Sequence, residues 1–182
     1  MIENSNSTRV SDPEVWLRNA PEPGVPALLQ PVAHALRQVR EELAALLRDF
    51  PPVRLNDRPA GLASAGFHLK HLVGVLDRLA TYALAEPLTV MQLDYLKAET
   101  APLPVTAAAL AALETAFAAQ VESFIQQLRA TDPATLTEVR GVGRARVPST
   151  VIGLLVHAAE HTTRHFGQLL VTVAVVKSQR FC

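Results

Sequence analysis

Three histidines, His157, His161 and His165, stand four residues apart in HAAEHTTRHFGQLL, and a second pair, His68 and His71, lies in FHLKHLVGVLDRL. At about 100 degrees per residue the three fall within an arc of about 80 degrees on one helix face. Imidazoles at i and i+4 can reach a single ion, and a metal held between helices needs two ligands from one helix and at least one from a neighbour. On the second stretch His71 points to the side that carries Leu72 and Val75, with His68 about 60 degrees away and also inward. The stripe of three, prolonged by Gln168 and Thr172, lies on a different arc from Ile152, Leu155, Ala159, Phe166 and Val173. It therefore lines a cleft rather than filling a core. Glu160 and Arg164, a favourable i,i+4 pair, mark the wet edge of the same helix. Three neutral imidazoles leave the charge of a divalent ion uncompensated and a coordination position open, as in a catalytic rather than a structural zinc site. His34 has no such company and reads as surface or structural.

HAAEH also matches the H-x-x-E-H pattern in which two histidines bind zinc and the glutamate is the base of a protease. Those proteases take a further ligand from well downstream, and only 21 residues follow His161. Glu160 falls about 100 degrees from His161, toward the wet edge. The protease reading is set aside.

Elements of definite length must position these residues, and prolines and glycines divide the chain. Residues 1–24 carry Pro13, Pro21 and Pro23 among polar residues and are expected to form an irregular leader to a single domain over 25–182. A first helix should begin between Pro26 and Pro31 and stop at Pro51, with Leu28, Val32, Leu36, Val39, Leu43, Leu46 and Phe50 at steps of three and four. The second is expected from Leu62 or Ser64 to Glu86, before Pro87. The third opens at Thr106 as N-cap and carries Leu110, Leu113, Phe117, Val121, Phe124 and Leu128 until Thr-Asp-Pro breaks it. A fourth runs from about Ser149 to Lys177. Between helices two and three, a connection with Met91, Leu93, Tyr95 and Leu96 should hold a short helix. TEVRGVGRARV, ahead of the last helix, has the alternation of a small hairpin. The fold class expected is all-α, a four-helix bundle with long crossover connections.

Composition removes several functions. Lysine plus arginine equal aspartate plus glutamate at 17 each, so the global positive field of non-specific nucleic-acid binding is absent. Arg140, Arg144 and Arg146 form the clearest candidate for a local basic patch and read as a solvated loop. Cys182 is the single cysteine and the last residue, so no intrachain disulfide forms and it makes a poor nucleophile. The polar start lacks a secretion signal, and no stretch reaches about 20 uninterrupted apolar residues. Residues 166–176 come closest. These features point to a cytoplasmic protein that binds neither nucleic acid nor membrane.

HTTRHFGQLL resembles the terminal helix of the DinB/YfiT-like superfamily, with its HxxxHxGQ signature, and HLVGVLDRL resembles the second-helix segment with that family's first histidine. The resemblance extends over about residues 26–177. It implies the family's crossed four-helix connectivity, often a homodimer, and a divalent metal, zinc or nickel, held by His71, His161 and His165. Gly167 would permit close helix packing, and Gln168 would sit near the site. Better-understood members are transferases and isomerases that act on small molecules with a low-molecular-weight thiol: bacillithiol, mycothiol or glutathione. Two departures stand out. His68 and His157 are extra histidines, so His157 could replace His165 as the partner of His161, or either could be a supporting or general-base group. The segment GLASAGFHLK also lacks the tryptophan often seen before the first histidine. The resemblance and the histidine spacing together lead to the expectation of a metal-dependent enzyme with a metal-activated thiol or water nucleophile. The alternative is a non-catalytic metal- or small-ligand-binding dimeric module.

Overall fold

The computed structural model describes residues 13–18 and 20–179. The leader as far as residue 12, and Cys182, lie outside the described residues. Five helices carry the chain: α1 Gln30–Leu47, α2 Ala65–Ala83, α3 Val90–Ala98, α4 Ala107–Ala130 and α5 Val151–Ser178. A hairpin of β1 Val139–Val142 and β2 Val147–Thr150 precedes the last of them, in the register Val139 opposite Thr150 and Val142 opposite Val147. The fold is all-α apart from this hairpin.

Helices α1, α2, α4 and α5 pack in a closed ring, in the order α1, α5, α2, α4. Consecutive helices, α1 with α2 and α4 with α5, therefore occupy the diagonals, and the chain crosses the ring twice. Inside lie Leu36, Leu43, Leu72, Leu76, Phe117, Phe124, Ile125, Leu128 and Leu155, all nearly inaccessible to solvent. Each aromatic or aliphatic side chain so buried contributes about 1.5–3 kcal/mol. The ring brings α2 and α5 together along their length, and His68, His71, His161 and His165 sit on that seam.

Sequence signals fix the helix ends. The hydroxyls of Ser64, Thr106 and Thr150 accept from Phe67 N, Ala109 N and Gly153 N and cap α2, α4 and α5. Thr89 and Gln92 form a capping box on α3, the short helix expected in the crossover. Three boundaries differ from expectation, the first being the end of α1 at Leu47, ahead of Phe50 and Pro51. Helix α2 ends at Ala83, ahead of Glu86, because Ala85 turns to φ +61° and the amides of Ala85 and Glu86 fold back on Tyr82 O and Thr81 O. Helix α5 starts at Val151 rather than Ser149, since Pro148, Ser149 and Thr150 belong to β2.

Residues 13–18 and 20–24 run along α1. Val15 N donates to Gln38 Oε1 at 2.7 Å, Arg18 grips Glu41 with two nitrogens, and Glu22 accepts from both Arg37 and Arg129. Among the described residues it is α4, not the last helix, that has the length and hydropathy of a membrane span. Its alanines raise the hydropathy, while Phe117, Val121, Phe124, Ile125 and Leu128 form the buried face.

Candidate metal centre

Helix α2 supplies His71 and helix α5 supplies His161 and His165, and one ring nitrogen from each lies within 4.8 Å of the others. All three are half-buried. His71 Nδ1 is 2.8 Å from Glu99 Oε2. A carboxylate can only accept, so the His71 proton sits on Nδ1 and the lone pair of Nε2 faces inward. That Nε2 lies 2.9 Å from His161 Nε2. Phe67 stacks on the His71 ring at 5.4 Å between centroids and fixes its plane.

Glu99 was not visible as a site residue in the sequence. It is the C-cap of α3 within the crossover, 3% exposed. Its other oxygen, Oε1, accepts from Arg78 Nη1 at 2.6 Å. Burial alone pushes this carboxyl up, but the hydrogen bonds from His71 and Arg78, with the Arg78 charge, prevail and hold it below the ordinary carboxylate range. Gly74 makes room for the pair: a Cβ there would meet Glu99 Oε1 at 2.5 Å and Arg78 Nη1 at 2.7 Å. Lys70, also buried, donates to Ala98 O and Ala101 O and clamps the same end of α3 to α2. One signal for this cluster existed. Arg78 falls about 20 degrees from His71 on α2, and a charge on the inward face of a helix demands a buried counter-ion.

His68 is 4% exposed, and its Nδ1 lies 3.3 Å from His165 Nδ1. In a contact between two imidazoles one nitrogen donates and the other accepts, so the tautomers of His68 and His165 are linked. His157 stays on the exposed side, 3.4 Å from Glu160 Oε2 and away from His71. It belongs with Glu160 and His161 rather than with the inner three, so the substitution of His157 for His165 is not the arrangement found. Gln168 is exposed, three residues beyond His165. Gly167 corrects an expectation: a Cβ there would meet nothing within 4 Å, so it faces open space and permits no close packing. His34 is half-buried and edge-on to Trp16 at 6.4 Å. The hairpin arginines lie elsewhere, since Arg140 binds Ala83 O, about 18 Å along α2 from His71.

The donor set suits a borderline divalent ion: imidazole nitrogens from two helices, one of them, on His71, backed by a carboxylate that selects the tautomer. Burial, then the charges of His71, Arg164 and His157, pull His161 down to about 4, with Glu160 opposing. Burial, then His71, His161, His68 and Arg164, pull His165 down to about 4 as well. Unfolded, both titrate near 6.5. The metal-free protein therefore has this stability in full above about pH 6.5 and loses it as pH falls toward 4, where the unfolded chain takes up protons that the folded one refuses. Urea midpoints across that window should fall steadily, and a flat series would contradict the shifts.

Compared with known families, the chain matches the sequence profile of the DinB superfamily over residues 35–169, well over half its length. No curated protein matches it.

Proposed function

Because the chain belongs to the DinB superfamily, we propose that it is a metal-dependent enzyme in which His71, His161 and His165 hold a zinc or nickel ion. The observation that carries this reading is the donor set, three ring nitrogens within 4.8 Å, one of them turned inward by a buried carboxylate. Zinc and nickel suit imidazole, whereas magnesium and calcium prefer oxygen. Bound there, the ion supplies Lewis acidity that lowers the pKa of a thiol or water. The chain's own residues prepare the rest. Glu99 and Phe67 hold the His71 ring, His68 holds His165, and Arg164, half exposed on the solvent side, meets the carboxylate or phosphate of an incoming molecule. No cysteine occurs among the described residues, so in a thiol-transfer reaction the sulfur comes from a low-molecular-weight cosubstrate and goes to a small-molecule acceptor.

A second reading is a metal- or ligand-binding dimeric module without turnover, for which α5 offers a contact face. Val156, Leu170, Val171 and Val175 are exposed on it, an apolar face suited to a second copy. A homodimer is compatible with both readings.

Turnover separates them. Metal-loaded and chelator-stripped protein are incubated with electrophilic small molecules and bacillithiol, mycothiol or glutathione, and thiol consumption is followed. Consumption that requires both the metal and the acceptor, and disappears in His161→Ala, is the expected result. Fully loaded protein that is inert throughout the panel would favour the binding module.

A further inference from the structure

His161 belongs to two clusters at once. Its Nε2 faces His71 in the seam, while its Nδ1 faces solvent beside Glu160, Arg164 and His157. His157, Glu160 and His161 offer a second set of donor atoms within 4.8 Å of one another. They stand at i, i+3 and i+4 on α5, so one helical turn sets their geometry without tertiary support. The His157 and Glu160 side chains are 47% and 52% exposed, in contrast to the half-buried inner three. A cation already occupies the corner: Arg164 Nη2 lies 2.8 Å from Glu160 Oε2 and 3.2 Å from His161 Nδ1.

We propose that His157, Glu160 and the outward nitrogen of His161 form an outer station for a divalent first-row cation, which passes through it to the inner three histidines. The inference rests on the inner site of His71, His161 and His165 as a metal centre. Two imidazoles and a carboxylate suit the same borderline ions as the inner set. Glu160 gives the station the negative charge that draws a cation from solvent. Arg164, itself half exposed, swings aside when the ion arrives.

The chemistry of one ring makes the two stations alternate. A neutral imidazole has a single free lone pair. With the lone pair on Nδ1, His161 serves the outer station and its Nε2–H donates to His71 Nε2, the contact seen at 2.9 Å. With the lone pair on Nε2, it serves the inner site and carries its proton on Nδ1, at the outer corner. Passing from one to the other, the ring releases a proton from Nε2 to water and takes one up at Nδ1, so its charge is unchanged.

Cobalt(II) tests this. Chelator-stripped full-length protein is mixed with the ion, and the visible absorbance of histidine-bound cobalt is followed in wild type, His157→Ala, Glu160→Gln, the double variant and Arg164→Gln. The double variant should load about tenfold more slowly or worse, with the same final absorbance and the same tightly held equivalent as wild type. Arg164→Gln, with the resident cation gone, should load faster. Equal loading rates in wild type and double variant overturn the proposal while leaving the inner site standing. Loss of the tight equivalent in the double variant also overturns it, because the pair would then belong to the inner set. Wild-type protein that takes up no cobalt overturns both readings.

Discussion

Replacing His71, His161 or His165 singly by alanine lowers the zinc or nickel carried by untagged protein from about one equivalent to close to none. Each variant leaves two imidazoles, and in His71→Ala both of them sit on one helix. Two neutral donors hold a divalent ion far less tightly than three, because the ion's desolvation is no longer matched by the donors that replace its water. His71→Ala has a further consequence, since Glu99 Oε2 loses its donor. That variant should also be the least stable of the three. His157→Ala is the control and should keep its equivalent, since His157 stands outside the inner group. Elemental mass spectrometry of the purified proteins checks all four. Metal retained in all three variants, or wild type without metal under reloading, would sink the three-histidine site.

Glu99→Ala should be the most damaging change outside the three ligands themselves. It strands Arg78, whose side chain is 9% exposed, as a buried charge without a counter-ion, at a cost of about 3–5 kcal/mol. It also releases His71 to either tautomer, which weakens metal affinity about 10–100-fold. Glu99→Gln should fall between, since an amide oxygen can still accept from one of the two donors. Urea unfolding of the stripped protein reads the first effect, and competition with a zinc chelator reads the second. A loss under about 1 kcal/mol with unchanged affinity would show that Glu99 supports neither the fold nor the site.

The sequence revealed what depends on local spacing. Thr106 and the Thr-Asp-Pro break bounded α4, and Thr89 with Gln92 fits the short helix inferred from Met91, Leu93 and Tyr95. The four-residue period of His157, His161 and His165 gave their common face, and His71 lay on an inward face of its own helix. Glu99 remained hidden because nothing local distinguishes a carboxylate after a short amphipathic turn. Its role comes from contacts with residues 28 and 21 positions away. The end of α2 differs from expectation for a related reason: Pro87 is a stop, but the left-handed Ala85 ends the helix earlier. Gly167 failed as a packing residue because a motif glycine says that a side chain is missing, not what lies opposite. His161 and His165 share that face of α5, yet one meets Arg164 at its outer nitrogen and the other meets His68.

Adjacent residues on α2, Lys70 and His71, grasp adjacent residues at the end of α3, Ala98 through its carbonyl and Glu99 through its carboxylate. The crossover is thus a lever whose short arm is the His71 ring. A tilt of α3 changes the pull of Glu99 on that ring, and a ligand that draws the ring inward pulls back on α3 with the same free energy. Beside this lever lies a cleft between α2, α3 and α4, lined by Val73, Gly74, Asp77, Gln92, Tyr95 and Gln120 among others. A ligand that entered this cleft and tilted α3 would be felt at the histidines, and the reverse would hold to the same extent.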